Sequence, residues 1–155
     1  MRRIQLTKGA SAIIDDDCVA LLSRFSWRLN SYGYAITNIA REDGSRTAIA
    51  MHRMIVGRDI GDLQVDHING DRLDNRRANL RLCSFTENTR NRGMHKNNKS
   101  GFKGIYAKRS RWVAAIKLNY RRIYLGAYPT PEEAHEVYCL WADMLHGEFA
   151  NYGDS

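Results

Sequence analysis

An aspartate, a histidine and several asparagines lie close together in the middle of this 155-residue chain. The segment begins Val65-Asp66-His67-Ile68-Asn69-Gly70, and Asn79 and Asn88 follow it. Hydrolysis of a phosphodiester requires a base that activates water and a cation that stabilises negative charge on the phosphate. His67 suits the first task because an unperturbed imidazole has a pKa of about 6.5. Asp66 and a side-chain amide oxygen suit a hard cation such as Mg²⁺.

The elements around this segment could bring these groups together. Residues 63–68 predict a strand that ends at Asn69-Gly70, and residues 80–83 predict a second strand beside it. Ser84-x-x-Glu87 is a capping box that starts a helix through about Arg92. As strand neighbours, Asp66 and His67 point to opposite faces unless the strand bends or ends there. The pattern alone therefore leaves a structural Asp-His pair open beside a catalytic one.

The segments upstream are mostly short strands. Residues 32–37 and 47–51 predict strands that flank a turn at Glu42-Asp43-Gly44-Ser45. A short helix is predicted near residues 16–22, with acidic residues in its first turn.

The segments downstream predict strands followed by one helix. Residues 112–118 and 122–125 alternate, which places Lys117, Arg122 and Tyr124 opposite an apolar face. Thr130-Pro131-Glu132-Glu133 is a helix start, and Gly147 ends the helix. Its predicted apolar positions are Ala134, Val137, Tyr138, Trp141 and Leu145.

Charge and cysteine content narrow the class of protein. Lys and Arg number 24 against 17 Asp and Glu, and residues 96–122 hold nine basic residues and no acidic one. Nucleic acid is the leading partner, although an ordinary basic protein fits the net charge equally well.

Three distant cysteines without a C-x-x-C pair argue against disulfides and a cysteine zinc site, and fit a reducing cytoplasm. The sequence has neither a membrane-spanning apolar run nor a secretory leader, so we expect no membrane partner.

The central motifs closely resemble HNH endonucleases. The resemblance rests on Met51-His52-Arg53, the Asp66-His67 segment, Asn79-Leu80-Arg81 and Glu87-Asn88-x-x-Asn91. The nearest group is that of phage and intron-encoded homing nucleases with a ββα-metal motif. The resemblance implies that His67 is the general base, that Asp66 and Asn88 bind the divalent metal, and that Asn79 braces the loop and orients His67.

The same resemblance has consequences for the cofactor and for nearby residues. Asn88 stands where many relatives carry His, so Asp66 is the one anionic ligand and weak binding of Mg²⁺ or Mn²⁺ is expected. No structural zinc is expected. His52 matches a recurrent family position, and we expect it to be packed at a helix start rather than catalytic. The arginines expected to contact phosphates, with solvated side chains as the alternative, are Arg53, Arg76, Arg77 and Arg81.

Residues from about 100 to 151 resemble a second family, the Apetala/ethylene-response-factor DNA-binding domain. The matching motifs include Ser100-Gly101-Phe102-Lys103-Gly104-Ile105-Tyr106 and Tyr124-Leu125-Gly126-Ala127-Tyr128. The resemblance implies a three-stranded sheet that lies in the DNA major groove, with a helix behind it. The implied contact residues are Lys103, Tyr106, Lys108, Lys117, Arg122 and Tyr124. Several of these are Arg or Trp in plant members, and Lys and Tyr remove bidentate readers of guanine.

We therefore predict an α+β protein with two domains. Residues 1–95 form a β-rich HNH (ββα-metal) nuclease domain, and residues 96–155 form a small three-stranded antiparallel sheet packed on one helix. The predicted activity is metal-dependent hydrolysis of duplex DNA. We expect a monomer that nicks one strand, and a dimer is the alternative. The predicted setting is the cytoplasm of a phage-infected or bacterial cell. A non-catalytic regulatory DNA-binding protein and an RNA-directed protein are the rival interpretations.

Overall fold

The computed structural model describes residues 1–57, 59–94 and 97–153. The chain divides into two compact units, Met1–Cys83 and Ser84–Ser155. The predicted domain boundary between residues 95 and 96 falls outside the described residues. The helix at residues 85–90 groups with the second unit, where it contacts the turn at Gly147–Phe149. The division into a nuclease domain and a DNA-binding domain remains a prediction.

The described part of the first unit consists of small antiparallel sheets joined by short helices. The two-stranded sheets are β1–β2 and β6–β7, and the three-stranded sheet has the order β3-β4-β5. The strands are β1 (Arg2–Gln5), β2 (Ser11–Ile14), β3 (Arg28–Leu29), β4 (Ala35–Ala40), β5 (Arg46–Ala50), β6 (Gln64–His67) and β7 (Leu80–Cys83). The helices are α1 (Val19–Leu22), after a 3-10 turn at Asp16–Cys18, and α2 (Met51–Val56), and a second 3-10 turn spans Arg77–Asn79. Together these elements confirm the predicted α+β class at the level of mixed helices and strands.

The core of the first unit anchors the loop that carries the chemistry. Ile14, Leu22 and Met51 are fully buried, and the Trp27 indole donates to the Leu22 carbonyl at 2.8 Å. Strand β2 extends this core to the loop between β6 and β7. Its Ile13 N–H donates to the Leu73 carbonyl, and its carbonyl accepts from the Asn75 N–H, both at 2.8 Å. These two hydrogen bonds attach the loop to the core, in addition to its covalent connections to β6 and β7.

The β4–β5 hairpin confirms the predicted turn and shifts the predicted strand ends. The Arg41 N–H donates to the Ser45 carbonyl at 2.8 Å, which closes the turn. Strand β4 begins at Ala35, because residues 30–34 form a tight turn with Gly33 at φ +84°. Met51 was predicted at the end of a strand, but it is the first residue of α2.

The described part of the second unit consists of a short helix, a sheet and a long helix. Its elements are α3 (Phe85–Arg90), β8 (Ile105–Lys108), β9 (Arg111–Leu118), β10 (Arg121–Tyr128) and α4 (Pro131–His146), followed by the 3-10 turn Gly147–Phe149. The strands form an antiparallel sheet in the order β10-β9-β8, and α4 packs against all three of them. Both predicted helix starts are observed: Ser84 and Glu87 make a reciprocal capping box, and the Thr130 hydroxyl accepts from the Glu133 N–H.

The buried face of α4 differs from the predicted face. Trp141 was predicted inside but is 37% exposed, whereas Ala142 is fully buried. The buried residues follow at intervals of four, namely Ala134, Tyr138, Ala142 and His146. Small side chains in this row let α4 approach the sheet closely. At Gly104 the approach is so close that a Cβ atom would lie 2.3 Å from the Tyr138 ring.

Candidate active site

His67 lies at the end of β6 and is 4% exposed. Its Nε2 atom lies 3.4 Å from Asn75 Oδ1, and its ring lies 5.0 Å from the His52 ring and 6.0 Å from the Tyr34 ring. Burial lowers the pKa of His67, and the hydrogen bond to Asn75 and the nearby carboxylates offset part of this effect. The imidazole is therefore mostly neutral near pH 7, which is the state that a general base requires.

Asp66 precedes His67 on the same strand and is 8% exposed. Arg81 lies directly opposite on β7, and its Nε and Nη2 atoms donate to Asp66 Oδ2 at 3.0 and 2.9 Å. The two side chains form a nearly buried ion pair. Any cation that bound Asp66 would share this carboxylate with a guanidinium, which weakens its binding.

Asn79 braces the loop between β6 and β7. Its Nδ2 atom donates to Asn69 Oδ1 at 2.9 Å and to the Asp74 carbonyl at 2.8 Å, and its Oδ1 accepts from the Asn69 N–H at 3.0 Å. These contacts match the bracing half of the predicted role. The amide found beside the His67 ring is that of Asn75 instead.

Asn75 is the residue that sequence reasoning missed. It is fully buried, its Oδ1 faces His67 Nε2, and its Nδ2 is buried without a hydrogen-bond partner among the described residues. Burying an amide donor that lacks a hydrogen-bond partner lowers the stability of the fold. A requirement other than stability therefore accounts for Asn75 at this position. Asp74-Asn75 follows a turn, but the sequence offers no signal that separates Asn75 from the other asparagines of the loop.

His52 is the second residue of α2, at the helix start as predicted, and it packs between aromatic neighbours. Its ring lies 5.2 Å from the Tyr34 ring and 5.0 Å from the His67 ring. Burial, with smaller contributions from the neighbouring His67 and Arg53, lowers the pKa of His52 to about 3. His52 is therefore a neutral packing partner of the candidate base.

Three of the four arginines that were expected to contact phosphates are paired with carboxylates. Arg76 binds the buried Asp74 through Nε at 2.7 Å and Nη2 at 2.6 Å, and this bond lowers the pKa of Asp74. Arg77 pairs with Asp17, and Arg81 with Asp66. The Arg76 and Arg77 side chains remain 41% and 54% exposed in these pairs, and contact of the arginines with phosphates stays a prediction. Arg53, on α2, is exposed.

A further group of possible metal ligands comprises Asp15, Asp17 and Cys18, whose ligand atoms lie within 4.8 Å of one another. Arg77 occupies this group: its N–H donates to Asp15 Oδ2 at 2.7 Å, and its side chain pairs with Asp17. Its contacts therefore account for the acidic residues without a cation.

Asn88 belongs to the second unit. It lies in α3, is half-buried, and its N–H donates to the Ser84 carbonyl at 3.0 Å. The capping box at Ser84 and Glu87 fixes the start of the helix that carries it. Its predicted role as a metal ligand remains a proposal.

The outer face of the β8–β10 sheet carries most of the residues that were predicted to contact DNA. Lys117 pairs with Arg122 in the ladder, and the Arg122 guanidinium lies 5.2 Å from the Tyr106 ring. Lys108 and Tyr124 are exposed, Tyr124 at 64%. The Lys103 ammonium donates to the Arg90 carbonyl at 3.0 Å and to Asn151 Oδ1 at 3.4 Å. Lys103 is half-buried, and burial lowers the pKa of its ammonium to about 8; its predicted DNA contact stays a prediction.

The first unit is a module of mixed helices and strands with a buried polar site at the β6–β7 strand pair. A neutral histidine and a carboxylate adjoin at the end of a strand pair, and an asparagine-rich loop holds them in place. Within residues 1–57, 59–94 and 97–153, none of the helices is both long and apolar enough to cross a membrane.

Comparisons with known proteins identify the family. A family model described as HNH endonuclease matches residues 50–90, which include Asp66, His67, Asn79 and Asn88. The chain is also 30% identical over 144 residues to a protein of Acanthamoeba polyphaga mimivirus that is named as an uncharacterized HNH endonuclease. The alignment covers 92% of this chain and 74% of the viral protein. The chain therefore belongs to the HNH endonuclease family. No solved structure gives a significant match to it.

Proposed function

We propose that this protein is a divalent-metal-dependent endonuclease that hydrolyses phosphodiester bonds in duplex DNA. The observation that carries the proposal is the buried, neutral His67 beside Asp66, within the segment that matches the HNH family. A histidine kept neutral at the end of a strand can take a proton from water near pH 7.

In this proposal His67 is the general base. With its proton on Nε2, the ring donates to Asn75 Oδ1, and Nδ1 carries the lone pair that accepts a proton from the attacking water. Asn75 fixes the tautomer, His52 and Tyr34 fix the ring plane, and Asn79 holds the loop that carries Asn75. Water attacks phosphorus as its proton passes to His67, the bond to the 3′ oxygen breaks, and that oxygen takes a proton from solvent water, so the products carry a 5′ phosphate and a 3′ hydroxyl.

The proposed metal ligands are Asp66 and Asn88. A carboxylate and an amide oxygen suit Mg²⁺ or Mn²⁺, which favour oxygen donors and retain several waters. A bound divalent cation supplies charge stabilisation at the phosphate and the leaving oxygen. Because Arg81 already neutralises part of the Asp66 charge, binding at millimolar rather than micromolar cation is expected.

The second unit is proposed to grip duplex DNA as an Apetala/ethylene-response-factor type of domain. The support is the cationic and aromatic outer face of the sheet, because phosphates and base edges are contacted by such side chains. The proposed contact residues are Tyr106, Lys108, Lys117, Arg122 and Tyr124. Arg53 is the proposed contact in the first unit.

One proposed base per chain favours nicking by a monomer over a double-strand break. The second candidate function is that of a DNA-binding protein with a degenerate nuclease site. The Arg81–Asp66 ion pair favours that alternative, because it occupies the carboxylate that a catalytic cation needs.

The test is conversion of supercoiled plasmid by the full chain in Mg²⁺ or Mn²⁺, with EDTA and His67→Ala as negative controls. His135→Gln is the matched control, because glutamine can also donate to the Tyr152 carbonyl that His135 contacts. Open-circle product that is lost with EDTA and with His67→Ala supports a nicking endonuclease, and linear product points to double-strand cleavage. Plasmid binding without cutting in either metal favours the degenerate site.

A further inference from the structure

Arg72 lies in the loop between β6 and β7, and its side chain reaches the turn at residues 30–34. Its guanidinium carbon lies 4.9 Å from the centroid of the Tyr34 ring, and its Nη1 donates to the Tyr32 carbonyl at 2.5 Å. A guanidinium stacked on an aromatic face is held in one plane and keeps its remaining N–H groups for other acceptors.

The turn that receives Arg72 is itself held by hydrogen bonds. Asn30 Oδ1 accepts from the N–H groups of Tyr32 at 3.0 Å and Tyr34 at 2.9 Å. Gly33 adopts φ +84°, and a Cβ atom there would lie 3.8 Å from Arg72 Cδ, so the arginine stem passes directly over the turn. These contacts hold the backbone at Tyr34 in place, so its ring is a fixed platform for the Arg72 guanidinium.

The backbone around Arg72 is equally constrained. Asn69 Oδ1 accepts from the Asp71 N–H, and Asp71 Oδ1 accepts from the Leu73 N–H, both at 2.9 Å. The Leu73 carbonyl is held by β2. The backbone of Arg72 and the guanidinium at the other end of its side chain are therefore both positioned by residues that flank the candidate active site.

Tyr34 also connects Arg72 to the proposed base. The other neighbours of the Tyr34 ring are His52 at 5.2 Å and His67 at 6.0 Å. The Tyr34 ring is thus a shared neighbour of the Arg72 guanidinium and the His67 imidazole. If DNA binds with a phosphate beside His67, an arginine on the same Tyr34 ring is a candidate contact for that phosphate or the next one.

Among the described residues, no carboxylate pairs with the guanidinium of Arg72, whereas the neighbouring arginines each have such a partner. Arg76, Arg77 and Arg81 each pair with a carboxylate, whereas none of the carboxylates in the described part of the chain lies within ion-pair distance of Arg72. A positioned guanidinium without an internal anion suits a phosphate, which it binds through two parallel N–H groups.

We propose that Arg72 is a phosphate-binding residue of the nuclease site and that Tyr34 is the positioning residue that holds it. The proposal rests on the proposed function, because it takes DNA as the ligand and His67 as the neighbouring base. It adds a DNA contact that the sequence motifs did not indicate.

The experiment compares Arg72→Gln with Arg24→Gln, which removes the same charge from an exposed arginine at the end of α1. One measurement is the single-turnover cleavage rate in Mg²⁺, and the other is duplex binding in EDTA at several salt concentrations. Arg72→Gln should lower the cleavage rate about tenfold or more and reduce the slope of log affinity against log salt by about one. Arg24→Gln should change the rate by less than about twofold.

Tyr34→Leu tests the platform. It should reduce cleavage in the same direction as Arg72→Gln, and the double variant should be no worse than the more affected single variant. Additive losses would overturn the role of Tyr34, and thermal unfolding of each variant shows whether the fold is retained.

The outcomes separate this inference from the proposed function. If the wild type cuts and Arg72→Gln matches Arg24→Gln in both measurements, the inference is wrong and the nuclease stands. If the wild type binds but does not cut, a selective loss of binding and salt slope in Arg72→Gln supports the phosphate contact while the nuclease proposal fails. Equal binding by both variants in that case overturns both.

Discussion

Replacing Asn75 with alanine should separate catalysis from stability. Asn75 Oδ1 lies 3.4 Å from His67 Nε2, and its Nδ2 is buried without a partner among the described residues. If the amide is there to fix the tautomer of His67, its removal should slow the reaction much more than it weakens the fold.

The expected change in stability is small because its parts have opposite signs. The long hydrogen bond to His67 contributes about 0.5–1 kcal/mol, and a void of about 40 Å³ costs about 1 kcal/mol. Against these, the variant removes a buried amide donor whose desolvation costs about 1–3 kcal/mol. The free energy of unfolding of the first unit should therefore change by less than about 1 kcal/mol, or about 4–8 °C in Tm.

The expected change in rate is larger. General-base catalysis contributes about 10²–10⁴-fold, and a base in the wrong tautomer or orientation forfeits much of it. We expect Asn75→Ala to reduce the single-turnover cleavage rate by about 10- to 100-fold while duplex binding in EDTA stays unchanged. A variant that cleaves at the wild-type rate would refute the positioning role, and a fall in Tm of more than about 10 °C would show that the amide is structural.

Three other changes test separate parts of the structure. Asn79→Ala removes three hydrogen bonds that brace the loop, so it should lower the stability of the first unit by about 2–4 kcal/mol, and an unchanged Tm would contradict the bracing role. His52 titrates at about 3 when folded and at about 6.5 when unfolded, so its contribution to stability is complete above about pH 6.5 and is lost as the pH falls towards 3. His52→Phe should therefore flatten the fall of Tm between pH 7 and pH 5, and an identical pH profile would count against its buried neutral state. Gly104→Ala should destabilise the second unit by about 2–4 kcal/mol because its Cβ meets the Tyr138 ring, whereas Gly101→Ala, at a similar φ but in open space, reports the backbone strain alone in the same calorimetric scan.

The parts of the fold that sequence predicts well are those set by local interactions. The β6–β7 pair, the turn at residues 42–45 and both helix starts depend on alternation, turn residues and caps within a few positions. Asp66 and His67 stand out because they end a strand and match the HNH motif. These features depend only on residues close together in the chain, so the sequence predicts them directly.

The parts that sequence did not predict depend on contacts between distant segments. Arg72 and Tyr32 are 40 positions apart, and the chain shows no pattern that links them. Asn79 stands out through the HNH motif, whereas Asn75 has no sequence signal, and its place depends on the packing of β2 against the loop. Trp141 was assigned to the core by its helical spacing, but the close approach at Gly104 favours a row of smaller residues in which Ala142 takes the buried place.

The central claim is that His67 is the base of a metal-dependent endonuclease. The most direct measurement compares single-turnover cleavage of a linear duplex in Mg²⁺ by the wild type and His67→Ala, with binding in EDTA measured alongside. If His67 is the base, the variant should bind DNA as the wild type does and cleave it about 100-fold or more slowly. Cleavage by His67→Ala within a few-fold of the wild-type rate would contradict it.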